Sequence, residues 1–179
     1  MAQFRAALSP RVALASIMWA NNETGVMFPV PELAELAHEQ GALFHCDAVQ
    51  VVGKIPMALS QTRIDMLSCS AHKFHGPKGV GCLWLRRGTR FRPLLRGGHQ
   101  AHGRRAGTEN ISGIVGMGAA SELAQVHLPG MAQISQLRDR LEQHLQATIP
   151  AVTVMGGSQP RVPGTLNLAF ECIEGEAIL

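Results

Sequence analysis

Three short groups of polar residues each follow an apolar run. Asn21, Asn22 and Glu23 follow "VALASIMWA", Asp47 and Gln50 follow "ALFHC", and Ser70, His72 and Lys73 close "IDMLSCS". Each apolar run reads as a buried strand. In open α/β sheets, ligands bind where the loops beyond the carboxyl ends of the strands converge. Any one of these residues could equally cap a helix or close a turn; three groups delivered to one edge point to a site. A lysine, a carboxylate and small polar donors match what pyridoxal phosphate demands. The lysine amine forms a Schiff base, and a carboxylate keeps the ring nitrogen protonated so that the ring acts as an electron sink. The phosphate needs hydroxyl, imidazole or backbone N–H donors. Lys73 suits the first role, Asp47 the second, and Ser70 with His72 the third. Gln50 lies about one helical turn beyond Asp47 and can reach the ring hydroxyl. The competing reading of Lys73 is an ordinary surface charge.

Other chemistries fit less well. His72 with His75 and His99 with His102 have the look of metal pairs, but no carboxylate or cysteine stands at the usual ligand spacing beside them. Phosphate-loop, dinucleotide-binding and nucleophile-elbow motifs are missing from the sequence. Cys46, Cys69, Cys82 and Cys172 form no CxxC pair. Cys69 and Cys82 fall in strand-like runs and read as small buried hydrophobes, as does Cys46. Free thiols suit a reducing compartment, and the expected location is the cytoplasm. No apolar stretch is long enough to span a bilayer, so no membrane role is expected. The net charge of +3 implies no polyanionic partner. Arg86, Arg87, Arg90, Arg92, Arg96, Arg104 and Arg105 are clustered, which reads as a solvated or anion-contacting face, without a nucleic-acid motif beside it.

These residues need a scaffold. With 46% apolar and 16% charged residues the chain is globular. Strands are expected at Val12–Ala20, Ala42–Cys46, Ile64–Ser70 and around Val80–Leu85. A helix is expected over "PELAELAHEQG", with Pro31 in its first turn and Gly41 as its stop. Leu33, Leu36 and Ala37 share a face of it. Strands alternating with a helix predict an α/β fold with a mostly parallel sheet; which strand runs antiparallel stays open. Helices follow at Ile111–His127 and Met131–Ala147, the second with Ile134, Leu137, Leu141 and Leu145 at helical spacing. Strand-like "VTVMG" and "TLNLAF" come next, and "EGEAIL" has the pattern of a helix just begun. A core strand starts abruptly at the front, so a piece of a longer protein is expected. A boundary between a larger unit (1–124) and a smaller one (125–179) falls in Gln125–Gly130.

The motifs "MWANNETG", "FHCDAVQVVGK", "SCSAHKFHGPKGVG" and "RGGHQAHGRRAGTEN" resemble the cysteine desulfurases of the nitrogen-fixation and iron–sulfur-assembly (NifS/IscS) type, class-V, fold-type I pyridoxal-phosphate enzymes. The resemblance covers nearly the whole chain. It implies the three-layer α/β large domain of pyridoxal-phosphate-dependent transferases and the start of a smaller α+β C-terminal domain. It implies pyridoxal 5'-phosphate as a covalent aldimine on Lys73, Asp47 on the pyridine nitrogen, and Gln50 on the ring oxygen. Asn22 lies near the ring oxygen and substrate carboxylate, and Ser70 and His72 bind the phosphate. Thr108 reaches the phosphate of the partner subunit in a homodimer, which makes the arginine cluster an interface and active-site rim. The implied reaction takes sulfur from L-cysteine, leaves L-alanine and an enzyme persulfide, and passes sulfur to an iron–sulfur scaffold protein. The family's persulfide cysteine and substrate-binding arginine lie past this chain's last residue, and its ring-stacking histidine before the first. A fragment inactive by itself is therefore expected. The alternatives are another class-V enzyme (an aminotransferase or selenocysteine lyase), a non-catalytic cofactor-binding module, and a basic interaction domain.

Overall fold

The computed structural model describes residues 1–178. A short helix, α1 (Ala2–Ala7), precedes strand β1 (Leu14–Met18). Helix α2 (Val30–Glu39) crosses to β2 (Leu43–Asp47), and a looped crossover with one 3-10 turn (Leu59–Gln61) leads to β3 (Met66–Ser70). Strand β4 (Gly81–Leu85) completes a sheet ordered β1-β2-β3-β4. The β1–β2 and β2–β3 pairs are parallel, and β3–β4 is antiparallel. The fold is thus α/β with a mixed, mostly parallel sheet, and β4 is the antiparallel member.

Helix α2 forms where expected, for the expected reasons. Pro31 sits in its first turn, where a missing N–H costs nothing. Gly41 ends it at φ +78°, a left-handed conformation that glycine adopts without strain. Leu33, Ala34, Leu36 and Ala37 turn inward. Leu33, Ala34 and Ala37 meet Ala15, Phe44, Cys46 and Leu67 from one face of the sheet, in a core where Val30, Phe44 and Ile64 are fully buried. Each such side chain contributes about 1.5–3 kcal/mol by leaving water. Asp65 is buried beside this core. Its Oδ2 accepts the Phe44 N–H at 2.7 Å and pairs with His38 Nε2 at 2.8 Å, tying the end of α2 to the β2–β3 crossover. The alternate sheet residues Leu14, Met18 and Leu83 stay exposed.

Beyond β4 the chain runs irregularly through one turn, α3 (Gln100–Gly103), where Ala101 and His102 are left-handed. Helices α4 (Ile111–His127) and α5 (Met131–Thr148) follow, joined by a 3-10 turn at Leu128–Gly130. Asn110 caps α4 by accepting the Gly113 N–H at 3.1 Å. Strands β5 (Val152–Val154) and β6 (Leu168–Phe170) pair antiparallel, and a 3-10 turn (Gly175–Ala177) stands where a helix was expected to begin.

Two expectations about burial change, for Cys69 with Cys82 and for Arg86. On α5, Ile134, Leu137 and Leu141 are exposed, and two polar contacts tie the helix to residues 161–162. Arg138 donates to Val162 O at 3.1 Å, and Arg161 pairs with Glu142 at 2.6 Å. Cys82 is exposed and Cys69 only half-buried, because β4 borders the sheet; Cys46 alone of the three is a buried hydrophobe. Arg86 leaves the solvated cluster. It donates to Ile64 O (2.7 Å), Leu59 O and Thr62 O (both 2.8 Å) and stacks on Trp84.

Candidate functional site

The first loop of the site is built on one amide. Asn21 Oδ1 accepts the N–H groups of Glu23 and Thr24 at 2.9 Å each and the Thr24 hydroxyl at 3.2 Å. Gly25 closes the turn at φ +73° and donates to Asn21 O at 3.0 Å. Asn21 is therefore spent on the turn, and the turn holds Asn22 at the edge of a pocket. The second group follows β2. Asp47 Oδ1 accepts the Val49 N–H at 2.9 Å, which fixes the carboxylate at the strand end. Gln50 Oε1 accepts from Lys54 Nζ at 3.3 Å.

The third group sits on a 3-10 turn, Ala71–Phe74. Residues three apart eclipse one another in this geometry. Ala71 and Phe74 both point inward and pack on Ala120, Met117 and Ala124 of α4. His72 and Lys73, between them, point outward and are exposed. His75 ends the turn in a left-handed conformation (φ 69°). Gly76 N–H then donates to Ala71 O at 2.8 Å, and Ala71 N–H to Val80 O at 3.1 Å. The loop lies tight against α4: a Cβ on Gly76 would stand 2.8 Å from Ala71 Cβ, and one on Gly116 would stand 2.6 Å from Pro77 Cγ.

Together these loops enclose an open pocket of about 290 Å³, lined by Met18, Ala20, Asn22, Asp47, Val49, Gln50 and Lys73. Of the residues singled out from sequence, the structure brings Asn22, Asp47, Gln50 and Lys73 into one pocket. Ser70 Oγ and His72 Nδ1 are hydrogen-bonded to each other at 2.8 Å but do not line it. Thr108 is exposed in the segment between α3 and α4 and does not line it either.

Sequence reasoning missed Lys54 and His45. Burial, and next the charge of Lys73, push the Lys54 amine below the usual lysine range. Its position one turn after Gln50 was the available signal. His45 stands two residues before Asp47, on the same strand face. Its Nδ1 meets Ser16 Oγ at 2.7 Å and its Nε2 meets Ser68 Oγ at 3.2 Å, so it bridges three strands behind the carboxylate. Burial lowers its pKa, and Asp47 opposes that shift. Cys46 turns to the opposite, core face, where burial and then Asp47 push its thiol up to about 12.

The model of class-V aminotransferases matches residues 1–179. The chain belongs to the class-V aminotransferase family. It is 83% identical over 179 residues to a curated cysteine desulfurase of Klebsiella pneumoniae, with all of this chain and 45% of that protein covered. A cysteine desulfurase of Enterobacter agglomerans is 70% identical over 178 residues, with 99% of this chain and 44% of that protein covered. Among solved structures, a NifS-like protein superposes with a TM-score of 0.93 at 37% identity, covering 99% of this chain and 49% of that one. A structure titled "SspA in complex with cysteine" gives 0.79 at 33% identity, covering 95% and 47%. The chain spans about half the length of these relatives. A carboxylate, a lysine and two amides around an open cavity form a donor set that fits pyridoxal phosphate, the cofactor that the family implies.

Proposed function

We propose that this pocket cradles pyridoxal 5'-phosphate and that the chain supplies the cofactor-binding part of a cysteine desulfurase. The convergence of Asn22, Asp47, Gln50 and Lys73 from three strand ends carries the proposal. Lys73 is the covalent attachment point, and Asp47 holds a proton on the ring nitrogen. Gln50, oriented by Lys54, donates to the ring oxygen, and Asn22 lies near that oxygen and the substrate carboxylate. Ser70 and His72, already paired, hold the phosphate with the loop's N–H groups. Thr108 reaches the phosphate of a partner subunit in a homodimer. Bound there, the cofactor supplies an electron sink for bonds at the substrate α-carbon.

The substrate is L-cysteine, supported by the curated desulfurases and by the cysteine complex of a structural relative. The products are L-alanine and a persulfide, delivered to an iron–sulfur scaffold protein in the cytoplasm. We place the division between the larger unit (1–124) and the smaller one (125–179) in Gln125–Gly130, a stretch that includes the 3-10 turn at Leu128–Gly130.

The test is covalent capture. The chain is incubated with pyridoxal phosphate, reduced with borohydride and mapped by mass spectrometry. The cofactor is expected on Lys73, with Lys73→Ala abolishing the visible absorbance band. Asp47→Ala is expected to keep capture at Lys73 with a changed band. Capture on Lys54 or Lys78 instead, or none, overturns the site. L-cysteine is expected to shift the band of the loaded protein, and a band indifferent to L-cysteine overturns the substrate.

A further inference from the structure

Cys69 and Cys82 are direct partners in the antiparallel β3–β4 ladder. The Ala71 N–H bonds to Val80 O, and the Arg86 N–H to Asp65 O. Hydrogen-bonded positions recur at every second pair of such a ladder, so Cys69 and Cys82 occupy one of them. Opposed residues there have Cα atoms about 5.5 Å apart, within the range that a disulfide spans. Opposed side chains also leave the sheet on the same face. Both thiols are free. Cys82 is exposed on the border strand, and Cys69 packs at the rim of the Ala71–Phe74 cluster. Between the two cysteines runs Ser70–Gly81, the whole of the loop that carries His72 and Lys73.

We propose that Cys69 and Cys82 form a dithiol site that a small-molecule disulfide oxidises to a cross-strand bond, clasping the Lys73 loop at its root. Cys82 starts the reaction, since it is the accessible partner. A hydrogen bond from the Cys69 thiol, opposed by burial, lowers the Cys82 thiol to about 6. The same contact, followed by burial, raises Cys69. The Cys82 thiolate attacks one sulfur of the small disulfide and releases one small thiolate. The Cys69 sulfur, losing its proton to solvent or to that thiolate, attacks the Cys82 sulfur and releases the second. The protein pair loses two electrons and two protons, and the small disulfide becomes two thiols. The other cysteines have no such partner: Cys46 is buried in the core, and Cys172 lies beyond β6. This chemistry does not depend on what the loop binds.

The test uses the reduced 179-residue chain, treated with oxidised glutathione and mapped by mass spectrometry after thiol blocking. The expected product is an intramolecular link between Cys69 and Cys82, two hydrogens lighter than the reduced peptides and reversed by dithiothreitol. Cys69→Ser is expected to stop at a lasting glutathione adduct on Cys82. Cys82→Ser is expected to leave Cys69 largely unmodified. In the linked protein, trypsin is expected to cut after Lys73 and Lys78 several-fold more slowly. A lasting glutathione adduct on Cys82 of the parent chain overturns the proposal. So do a Cys82–Cys172 link, or two unreacted thiols in a chain whose circular dichroism shows it folded.

Discussion

Arg86→Ala should cost this protein much of its stability, although Arg86 belongs by sequence to a run of surface arginines. The side chain makes three hydrogen bonds, to Ile64 O, Leu59 O and Thr62 O. Leu59 O keeps other donors, the N–H and hydroxyl of Thr62, so the variant orphans two carbonyls. Bonds to a charged donor net about 1.5–3 kcal/mol each, and solvent reaching a half-buried site lowers that, so about 3 kcal/mol is expected. The stacking on Trp84, at 5.3 Å from the guanidinium carbon to the ring centre, adds less than about 1 kcal/mol. In a chain of this size each kcal/mol moves Tm by roughly 2–4 °C, so a fall of about 10 °C follows. Arg86→Lys keeps the charge but cannot hold three divergent carbonyls, and about half the loss is expected. Urea unfolding followed by far-UV circular dichroism measures both, at constant m-value. The consequence reaches the site, because Arg86 fastens the run that leads into β3, whose end delivers Ser70 and Lys73. If Arg86→Ala stays within about 0.5 kcal/mol of the parent, the ordinary surface range, the anchoring role is refuted.

Gly116→Val drives a side chain into Pro77 and should destabilise by about 1–3 kcal/mol while weakening cofactor capture at Lys73. Gly118→Ala, with open space around it, should raise stability by up to about 1 kcal/mol, and equal losses in the two variants would discredit the close-contact argument. Burial depresses the His45 pKa, so below about pH 6.5 the unfolded chain takes up a proton that the folded chain resists, and stability is lost as pH falls through that window. His45→Gln should flatten this part of the stability–pH curve; a curve of unchanged slope would show that His45 does not titrate as its surroundings require.

The strands were legible because short apolar runs ended in turn residues, and α2 because proline and glycine marked its two ends. The direction of β4 was legible in principle. The connection Ala71–Val80 is shorter than the dozen or so residues that a parallel crossover needs, which leaves the antiparallel arrangement. The Leu137 and Leu141 stripe marked the helix but not its exposure, because periodicity reports a capacity to be buried, while exposure depends on whether another layer is present. Arg86 misled for a related reason: its three acceptors are backbone carbonyls of a distant loop, and carbonyls leave no mark on residue identity. Cys69 and Cys82 were assigned correctly to strands, but burial there depends on whether a strand is central or at the border.

The candidate site divides along the same line. β1, β2 and β3 run parallel, so their carboxyl ends share one edge, and polar residues just past them must converge whatever the loops do. That is why Asn22, Asp47 and Lys73 could be grouped before any coordinates. The spacing inside "SAHKF" then sorts the last loop. With three residues per turn, Ala71 and Phe74 anchor the loop on α4, and His72 and Lys73 are turned outward. Thr108 has no comparable rule. It sits in irregular chain between α3 and α4, outside the lining of the pocket, and only the resemblance ties it to a phosphate. A site drawn from parallel strand ends is thus legible from one chain, whereas a contribution assigned across a subunit interface requires the second chain to be present.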